Sequence, residues 1–320
     1  MRKIIWAIDA VHEPGELHEQ TVHALEALSR VTGTRIIPVY VLSPAQLDLS
    51  VEFSGSWLEH YKPAAQKVLE SYIKSVRLKN LDAPTVIIQN RPSLRHAVEA
   101  LDRFAVAAEA ELIVLGTHGR KGAWRLLLGS FAETLLLRST VPVLTIGPHS
   151  KPIADFNGIL FPTDFSRTSK NMFKYIVEVT KDLKAKITLY HSVPNLIEPI
   201  FQSGVYLFGG AWIPVRNYFD EEVDQRKKHG DAWAKWATKQ GVSTEFILDD
   251  RGGSISERIL EVAARDEIGV IAMASRSGPV SSAMIGSVTR QVVRTAPCPV
   301  WVLHNVPTVK SAREKIRKAA

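Results

Sequence analysis

Long hydrophobic runs, cysteine and the usual catalytic signatures are what this 320-residue chain lacks. No apolar stretch approaches the roughly 18 residues that a membrane-spanning helix requires, so a membrane protein is not expected. The N-terminus MRKIIWAIDAV opens like a signal peptide with Arg2 and Lys3, but Asp9 breaks the apolar segment too early for one. It reads as a first β-strand. Cys298 is the single cysteine, which excludes an intramolecular disulfide and makes the reducing cytoplasm the expected compartment. An excess of positive charge is missing from most of the chain. Of the net +7, the C-terminal KSAREKIRKAA supplies +4, and the other 309 residues carry only +3. Nucleic-acid binding is therefore not expected, and residues 306–320 read as a basic, solvated tail. None of G-x4-G-K-[ST], G-x-G-x-x-G, Ser-Gly-Gly-x-Asp or His-x-Gly-His is present. No nucleophile has an evident histidine and carboxylate beside it, so the chain is not expected to be an enzyme.

What is present is an internal duplication. ELIVLGTHG…LLLGSFAETLLLRSTVPVLTI at 111–146 aligns with GVIAMASRS…AMIGSVTRQVVRTAPCPVWVL at 269–303. Gly129-Ser130 precedes Gly286-Ser287 by 157 positions, as Pro142 precedes Pro299, and KIIWAID ending at Asp9 answers GILFPTD ending at Asp164. The expected organisation is one domain over 1–147, a Gly/Pro-containing linker at 148–157, and a second domain over 158–305. In the first copy, strands are expected near 3–8, 35–41, 85–89, 111–115 and 141–146. Leu94, Ala97, Val98, Leu101, Phe104, Ala105 and Ala108 keep the spacing of one helical face, with Ser93 as N-cap. Phe173, Ile176, Val177, Thr180 and Leu183 do the same after Ser166. Such alternation predicts α/β domains, each a doubly wound, five-stranded parallel sheet with helices on both faces. Ligands of such sheets sit beyond the carboxyl ends of the strands, where the winding reverses. With flavodoxin-type order that place lies between the first and fourth strands, at the loops that start with Asp9 and Gly116, and with Asp164 and Ala274.

The loop after the fourth strand, GTHGRKGAWRLLLGS at 116–130, has glycines that let backbone approach an anion. Gly129-Ser130 would open a helix whose first N–H groups favour negative charge. Ser130 is read either as a phosphate donor or as a helix cap, and His118 either as a phosphate donor or as a surface histidine.

The pattern G-x2-G-x9-G-S followed by a helix and a Pro-Val strand, with PTDFS at 162–166, the YH ending at His191 and APCPVWVL at 296–303, resembles the universal stress protein family. The two copies together resemble its tandem form, over nearly the whole chain. The resemblance implies a stress-response sensor or regulatory module that binds ATP, with Mg2+, in the first copy. Gly119, Gly129, Ser130 and the Phe131 backbone would face the phosphates, Asp9 the nucleotide or its magnesium, Val41 the adenine and Gly116 the ribose. In the second copy Thr163, Asp164, Gly286, Ser287 and Val288 occupy the matching positions. The first copy departs from the family at Ala7-Ile8 and at AVHEP (10–14). The second has Ala274 and Ser277 in place of glycines, and Ser192 at the adenine position. The resemblance also implies that Val141–Ile146 and Pro299–Leu303 pair within the chain as a pseudo-dimer, which could associate again as a homodimer.

Two further features complete the reading. His12, His18 and His23 with Glu13, Glu16 and Glu19 lack metal-ligand spacing and read as a solvated helix start. Residues 196–219, LIEPIFQSGVYLFGGAWIPVRNYF, form a long apolar insertion. They are read either as packing against the other copy through Phe208, Trp212 and Tyr218, or as a surface for an apolar ligand or protein partner. The second use would suit a nucleotide-free scaffold or chaperone-like module.

Overall fold

The computed structural model describes residues 3–9, 16–30, 33–45, 47, 55–117, 128–153, 155–193, 205–206, 212–213, 215–275 and 285–304. The first copy contributes β1 (Lys3–Ala7), α1 (Glu16–Ser29), β2 (Arg35–Leu42), α2 (Gly55–Ser75), β3 (Thr85–Ile88), α3 (Leu94–Ala107), β4 (Leu112–Gly116), α4 (Ser130–Arg138) and β5 (Val143–Ile146). The second contributes β6 (Gly158–Pro162), α5 (Arg167–Leu183), β7 (Lys186–Ser192), the short β8 (Val205–Tyr206) and β9 (Trp212–Ile213), and α6 (Val215–Lys239). It continues with β10 (Thr244–Asp249), α7 (Ile255–Arg265), β11 (Val270–Ala274), α8 (Ser287–Thr295) and β12 (Val300–Leu303).

Ten strands form one sheet in the order β10-β7-β6-β11-β12-β5-β4-β1-β2-β3. Within each copy the pairings are parallel, with the winding reversed between the first and fourth strands. At the centre β5 and β12 pair antiparallel, with Leu144 opposite Trp301 and Val143 opposite Val302. The fifth strands thus fuse the two copies along a seam.

The inner strands are buried on both faces, which explains their continuous Val/Ile/Leu content, whereas the edge strands β3 and β10 are mostly half-buried. One core holds Ile4, Trp6, Leu25, Phe161, Phe173 and Trp301 under α1, α2, α5 and α6. The other holds Ile5, Val41, Leu101, Leu135, Ile259 and Val292 under α3, α4, α7 and α8. Helical spacing positions the faces: Met172, Phe173, Ile176, Val177 and Thr180 are the buried stripe of α5, and Ala97, Val98, Leu101 and Ala105 that of α3. Ser166 caps α5 by accepting the Ser169 N–H. Ser93 occupies the N-cap of α3, but its side chain makes no capping bond.

Equivalences between copies follow from register. Ile8 N–H donates to Val39 O and Thr163 N–H to Tyr190 O, so Val39 matches Tyr190, Tyr40 matches His191 and Val41 matches Ser192. The same logic aligns Trp6, His18 and Tyr72 with Phe161, Phe173 and Trp233. Trp6 and His18 stack at 5.7 Å, as Phe161 and Phe173 do, and the next ring follows at 4.4 Å (Tyr72) and 5.4 Å (Trp233).

This corrects the reading of His18 as part of a solvated helix start. It is half-buried inside an aromatic stack and hydrogen-bonded through Nδ1 to the Tyr72 hydroxyl. Burial lowers its pKa to about 4. Among the described residues no group of three or more His, Cys, Asp or Glu side chains is placed to hold a metal ion, and no helix is long and apolar enough to cross a membrane. Of the 196–219 insertion, the antiparallel β8–β9 pair and the start of α6 are described. The proposed packing of Phe208, Trp212 and Tyr218 lies outside what is described.

Candidate functional site

At the carboxyl edge of the first copy, β1 and β4 run side by side with Ile4 opposite Leu112 and Trp6 opposite Val114. Their ends bring Asp9 and Gly116-Thr117 to the same edge, where the winding reverses. Asp9 is exposed there. Just behind it lies the Tyr40 ring, 2% exposed, whose hydroxyl has no hydrogen-bond partner. Burial, then the Asp9 charge, pushes the Tyr40 pKa upward.

The other wall is the start of α4. Gly129 is its N-cap, and the Gly129 N–H donates to Thr117 O at 2.8 Å, tying the helix to the end of β4. A Cβ on Gly129 would lie 2.7 Å from that same carbonyl oxygen. Glycine is required here by contact and not by dihedral, since φ −59° and ψ 139° are open to any residue. The first bond within the helix runs from Glu133 N–H to Gly129 O at 2.9 Å. The N–H groups of Ser130, Phe131 and Ala132 therefore precede the helical ladder, as at any helix start. Gly129 and not Ser130 occupies the N-cap; Ser130 is the first helical residue, with an exposed side chain.

Val41 is 4% exposed and belongs to the core beneath α3 and α4 together with Leu115 and Leu128. Phe131 packs half-buried against the same core. Gly116 closes β4, and a Cβ there would stand 3.0 Å from the Leu17 side chain of α1. Close packing of α1 thus gives that glycine a structural reason of its own. His118 and Gly119 lie outside the described residues.

The second copy repeats the frame with different chemistry. Gly286 caps α8 and its N–H donates to Ser275 O at 3.2 Å, but a Cβ there would meet nothing closer than 3.7 Å. Ser287 is exposed and Val288 half-buried, while Thr289 Oγ1 donates to Ala274 O at 3.0 Å. Ser277 lies outside the described residues. The PTDFS turn is bound up in its own fold. Thr163 Oγ1 accepts the Phe165 N–H at 3.0 Å, and Asp164 Oδ1 accepts both the Ser166 N–H at 2.9 Å and the Ser169 hydroxyl. Burial works to raise the Asp164 pKa, but these hydrogen bonds outweigh it and hold the carboxyl below its ordinary value. Phe165 sits at φ +57°, in the left-handed region, anchored by its ring against His191 and Trp233.

Two polar arrangements were not anticipated from the sequence. His191 donates from Nδ1 to Thr163 O at 2.7 Å, and burial lowers its pKa. At the end of β10, Asp249 is buried and accepts from the Tyr190 hydroxyl at 3.0 Å and from Arg251 at 2.9 and 2.7 Å. The Arg251 hydrogen bond holds the Asp249 carboxyl at about 2. A repeat-to-repeat alignment by strand position sets both apart, since Tyr40 and Ile87 hold the corresponding places in the first copy. Cys298 is buried, and burial pushes its thiol up to about 12, so it is no nucleophile.

The fold and the helix-start geometry define a class: two tandem doubly wound α/β domains, each with a Gly-Ser helix start facing a strand-end turn. The family model of the universal stress protein family matches residues 1–147 and again 156–304. The chain belongs to that family, in tandem form. Among curated relatives, a universal stress protein of Methanocaldococcus jannaschii is 27% identical over 131 residues, 40% of this chain and 73% of that protein. One from Thermus aquaticus is 27% identical over 121 residues, 38% of this chain and 83% of that protein. Among solved structures, a universal stress protein from Archaeoglobus fulgidus superposes with TM-score 0.64 at 18% identity, covering 94% of this chain and 96% of the other. A protein of unknown function from Pseudomonas aeruginosa gives 0.58 at 15% identity, with 99% and 98% covered. These two likenesses establish the fold.

Proposed function

We propose that the chain is a non-catalytic regulatory module of the cytoplasm that binds ATP, with Mg2+, in its first copy. Its output is a ligand-dependent shift between conformations. The observation that carries this reading is the start of α4. Its N-cap is pressed against the end of β4, and its first N–H groups and the exposed Ser130 sit at the edge that also carries Asp9. Such a helix start suits an anion. Ser130 and Phe131 would hold the phosphates, Asp9 the magnesium, and the Val41 side of the crevice the base.

The choice of the first copy rests on its glycine loop, Gly116 and Gly119 standing where the second copy has Ala274 and Ser277. In the second copy, Asp164 is engaged at the start of α5 through two hydrogen bonds to one oxygen. Acid extraction of the purified protein with mass spectrometry, followed by titration of the stripped protein with ATP and Mg2+, tests the reading. Ser130→Ala should weaken binding by roughly threefold to tenfold, the worth of one hydrogen bond, and Ser287→Ala should leave it unchanged. Absence of both co-purified nucleotide and saturable binding would refute it.

A further inference from the structure

The two sides of the seam are related by a pseudo-twofold axis, and the register locates it. Gly129-Ser130 precedes Gly286-Ser287 by 157 positions, so Leu144 is the equivalent of Trp301. These two lie directly opposite each other in the β5–β12 pair, which puts the axis between them. Were the two copies identical, a residue on that axis would meet itself. Here the facing residues differ, and they differ in a complementary way.

Glu133 and Arg290 are equivalent positions, each in the first turn of its helix, and they form a half-exposed ion pair at 2.8 Å across the seam. Leu144 and Trp301, both buried in the same core, set a smaller side chain against a larger one. His304 donates from Nε2 to Leu136 O at 2.7 Å, one of the last carbonyls of α4. Its equivalent is Gly147, where a Cβ would stand 3.4 Å from Val293 O, the matching carbonyl of α8. Thr145 Oγ1 donates to Val300 O at 3.1 Å, and its equivalent, Val302, has no hydroxyl. Each couple therefore holds one member that supplies what the other lacks: acid against base, small against large, a side-chain donor on one side only.

We infer that the seam is a heterospecific interface, at which each copy selects the other and rejects its own kind. The face made by α4 and β5 fits a partner domain that carries a cation, a bulky aromatic and a histidine donor where α8 and β12 carry Arg290, Trp301 and His304. Two first-copy faces would set Glu133 against Glu133 and leave the Leu136 carbonyls without the histidine. Two second-copy faces would set Arg290 against Arg290 and Trp301 against Trp301. Like charges placed opposite one another and overpacked cores both destabilise. The chain consequently closes on itself, and two chains do not associate through like faces of the seam.

Urea unfolding of the full chain in two double-mutant cycles tests this. Glu133→Arg and Arg290→Glu each make the two sides alike, whereas the double variant exchanges them. Both single variants should lose stability and the double variant should recover most of it, with a coupling of roughly threefold to tenfold in the unfolding constant. Leu144→Trp and Trp301→Leu should each destabilise, and the exchanged double variant should be more stable than the sum of the two losses allows. A charge reversal without loss, or losses that simply add in the charge cycle, would overturn the inference. Should Leu144→Trp fail to fold, the half-exposed charge pair still decides it.

Discussion

Gly129→Ala and Gly286→Ala are the same substitution at the same place in two copies of one fold, and the structure assigns them different costs. Both glycines are N-caps with nearly identical backbone, φ −59° and ψ 139° against φ −55° and ψ 141°. Neither needs the freedom of glycine for its dihedrals. Both lose the preference of an N-cap for glycine over alanine, about 0.5–1 kcal/mol, part of which is returned by the lower entropy of the unfolded chain. These common terms cancel in the comparison. What remains is contact. The new methyl at 129 would stand 2.7 Å from Thr117 O, an immobile backbone atom, and that oxygen is the acceptor of the Gly129 N–H at 2.8 Å. Relief requires α4 to withdraw by several tenths of an ångström, which stretches that hydrogen bond and loosens Ala132, Leu135 and Leu136 in the core.

Overpacking of this kind costs about 1–3 kcal/mol, so Gly129→Ala should be less stable than Gly286→Ala by about 2 kcal/mol. The matching contact at 286 is 3.7 Å to a threonine hydroxyl, which is ordinary van der Waals distance. Thermal unfolding of both variants should show a melting temperature for Gly129→Ala about 4–8 °C below that of Gly286→Ala. Equal shifts, or a larger loss at 286, would refute the contact argument and return the glycine to the role of loop punctuation. The result also guides the choice of binding variants: a lost nucleotide site in Gly129→Ala would be confounded by a displaced α4, and Ser130→Ala avoids this.

Other expectations follow from buried polar groups. His18 has a folded pKa of about 4 against roughly 6.5 unfolded. The neutral ring is therefore the folded form, its stability is complete above pH 6.5, and it is lost as pH falls toward 4. After discounting for its partial exposure, the loss should reach about 1–2 kcal/mol. His18→Phe, which installs the ring found at Phe173, should flatten the melting temperature between pH 7 and 5, and an unchanged slope would count against the aromatic box. Asp249→Ala should cost about 2–3 kcal/mol in urea unfolding because it strands the Tyr190 hydroxyl and Arg251. Arg251→Ala should also destabilise, since it leaves the buried Asp249 carboxylate without its cation, and a neutral effect would count against that pairing. Thr145→Val, which removes the donor to Val300 O across the seam, should cost under about 1.5 kcal/mol because no buried donor is left behind and the partner carbonyl keeps its ladder position.

The duplication, the strand order and the two helix faces were legible because they depend on periodicity and on repeated Gly-Ser and Pro-Val signposts, which survive divergence. The expected strand near 141–146 begins only at Val143 because Ser139 and Thr140 are tied to Asp102 before it, a bond between distant residues that no local pattern announces. Side-chain roles at the site were less legible for a related reason. The dipeptides Val-Tyr at 39–40 and Tyr-His at 190–191 invite alignment of the two tyrosines, yet the register matches Tyr40 with His191. One residue of slip moves a side chain to the other face of the sheet. Tyr190 consequently belongs with Asp249 on one face, and His191 with Phe165 on the other.

His18 illustrates the same limit: its spacing from His12 and His23 says nothing of Trp6 and Tyr72, which reach it from a strand and a helix far away in sequence. The two strand-end aspartates give the sharpest case. From sequence, PTDFS was the intact turn and the loop after Asp9 the altered one. In three dimensions the serine that makes PTDFS familiar and a second one on the first turn of α5 engage Asp164, through the Ser166 N–H and the Ser169 hydroxyl. A turn that follows the family pattern can therefore hold its carboxylate in the service of the helix it starts. Replacement of Ser169 by alanine would remove one of those bonds and leave the other, and it should raise the Asp164 pKa toward its ordinary value, measurable by carboxyl-carbon NMR titration. If it also conferred Mg2+-dependent ATP binding on the second copy, the capping role would be what separates the two halves in function. If the pKa did not move, the Ser169 hydroxyl would not be what holds the Asp164 carboxyl below its ordinary value.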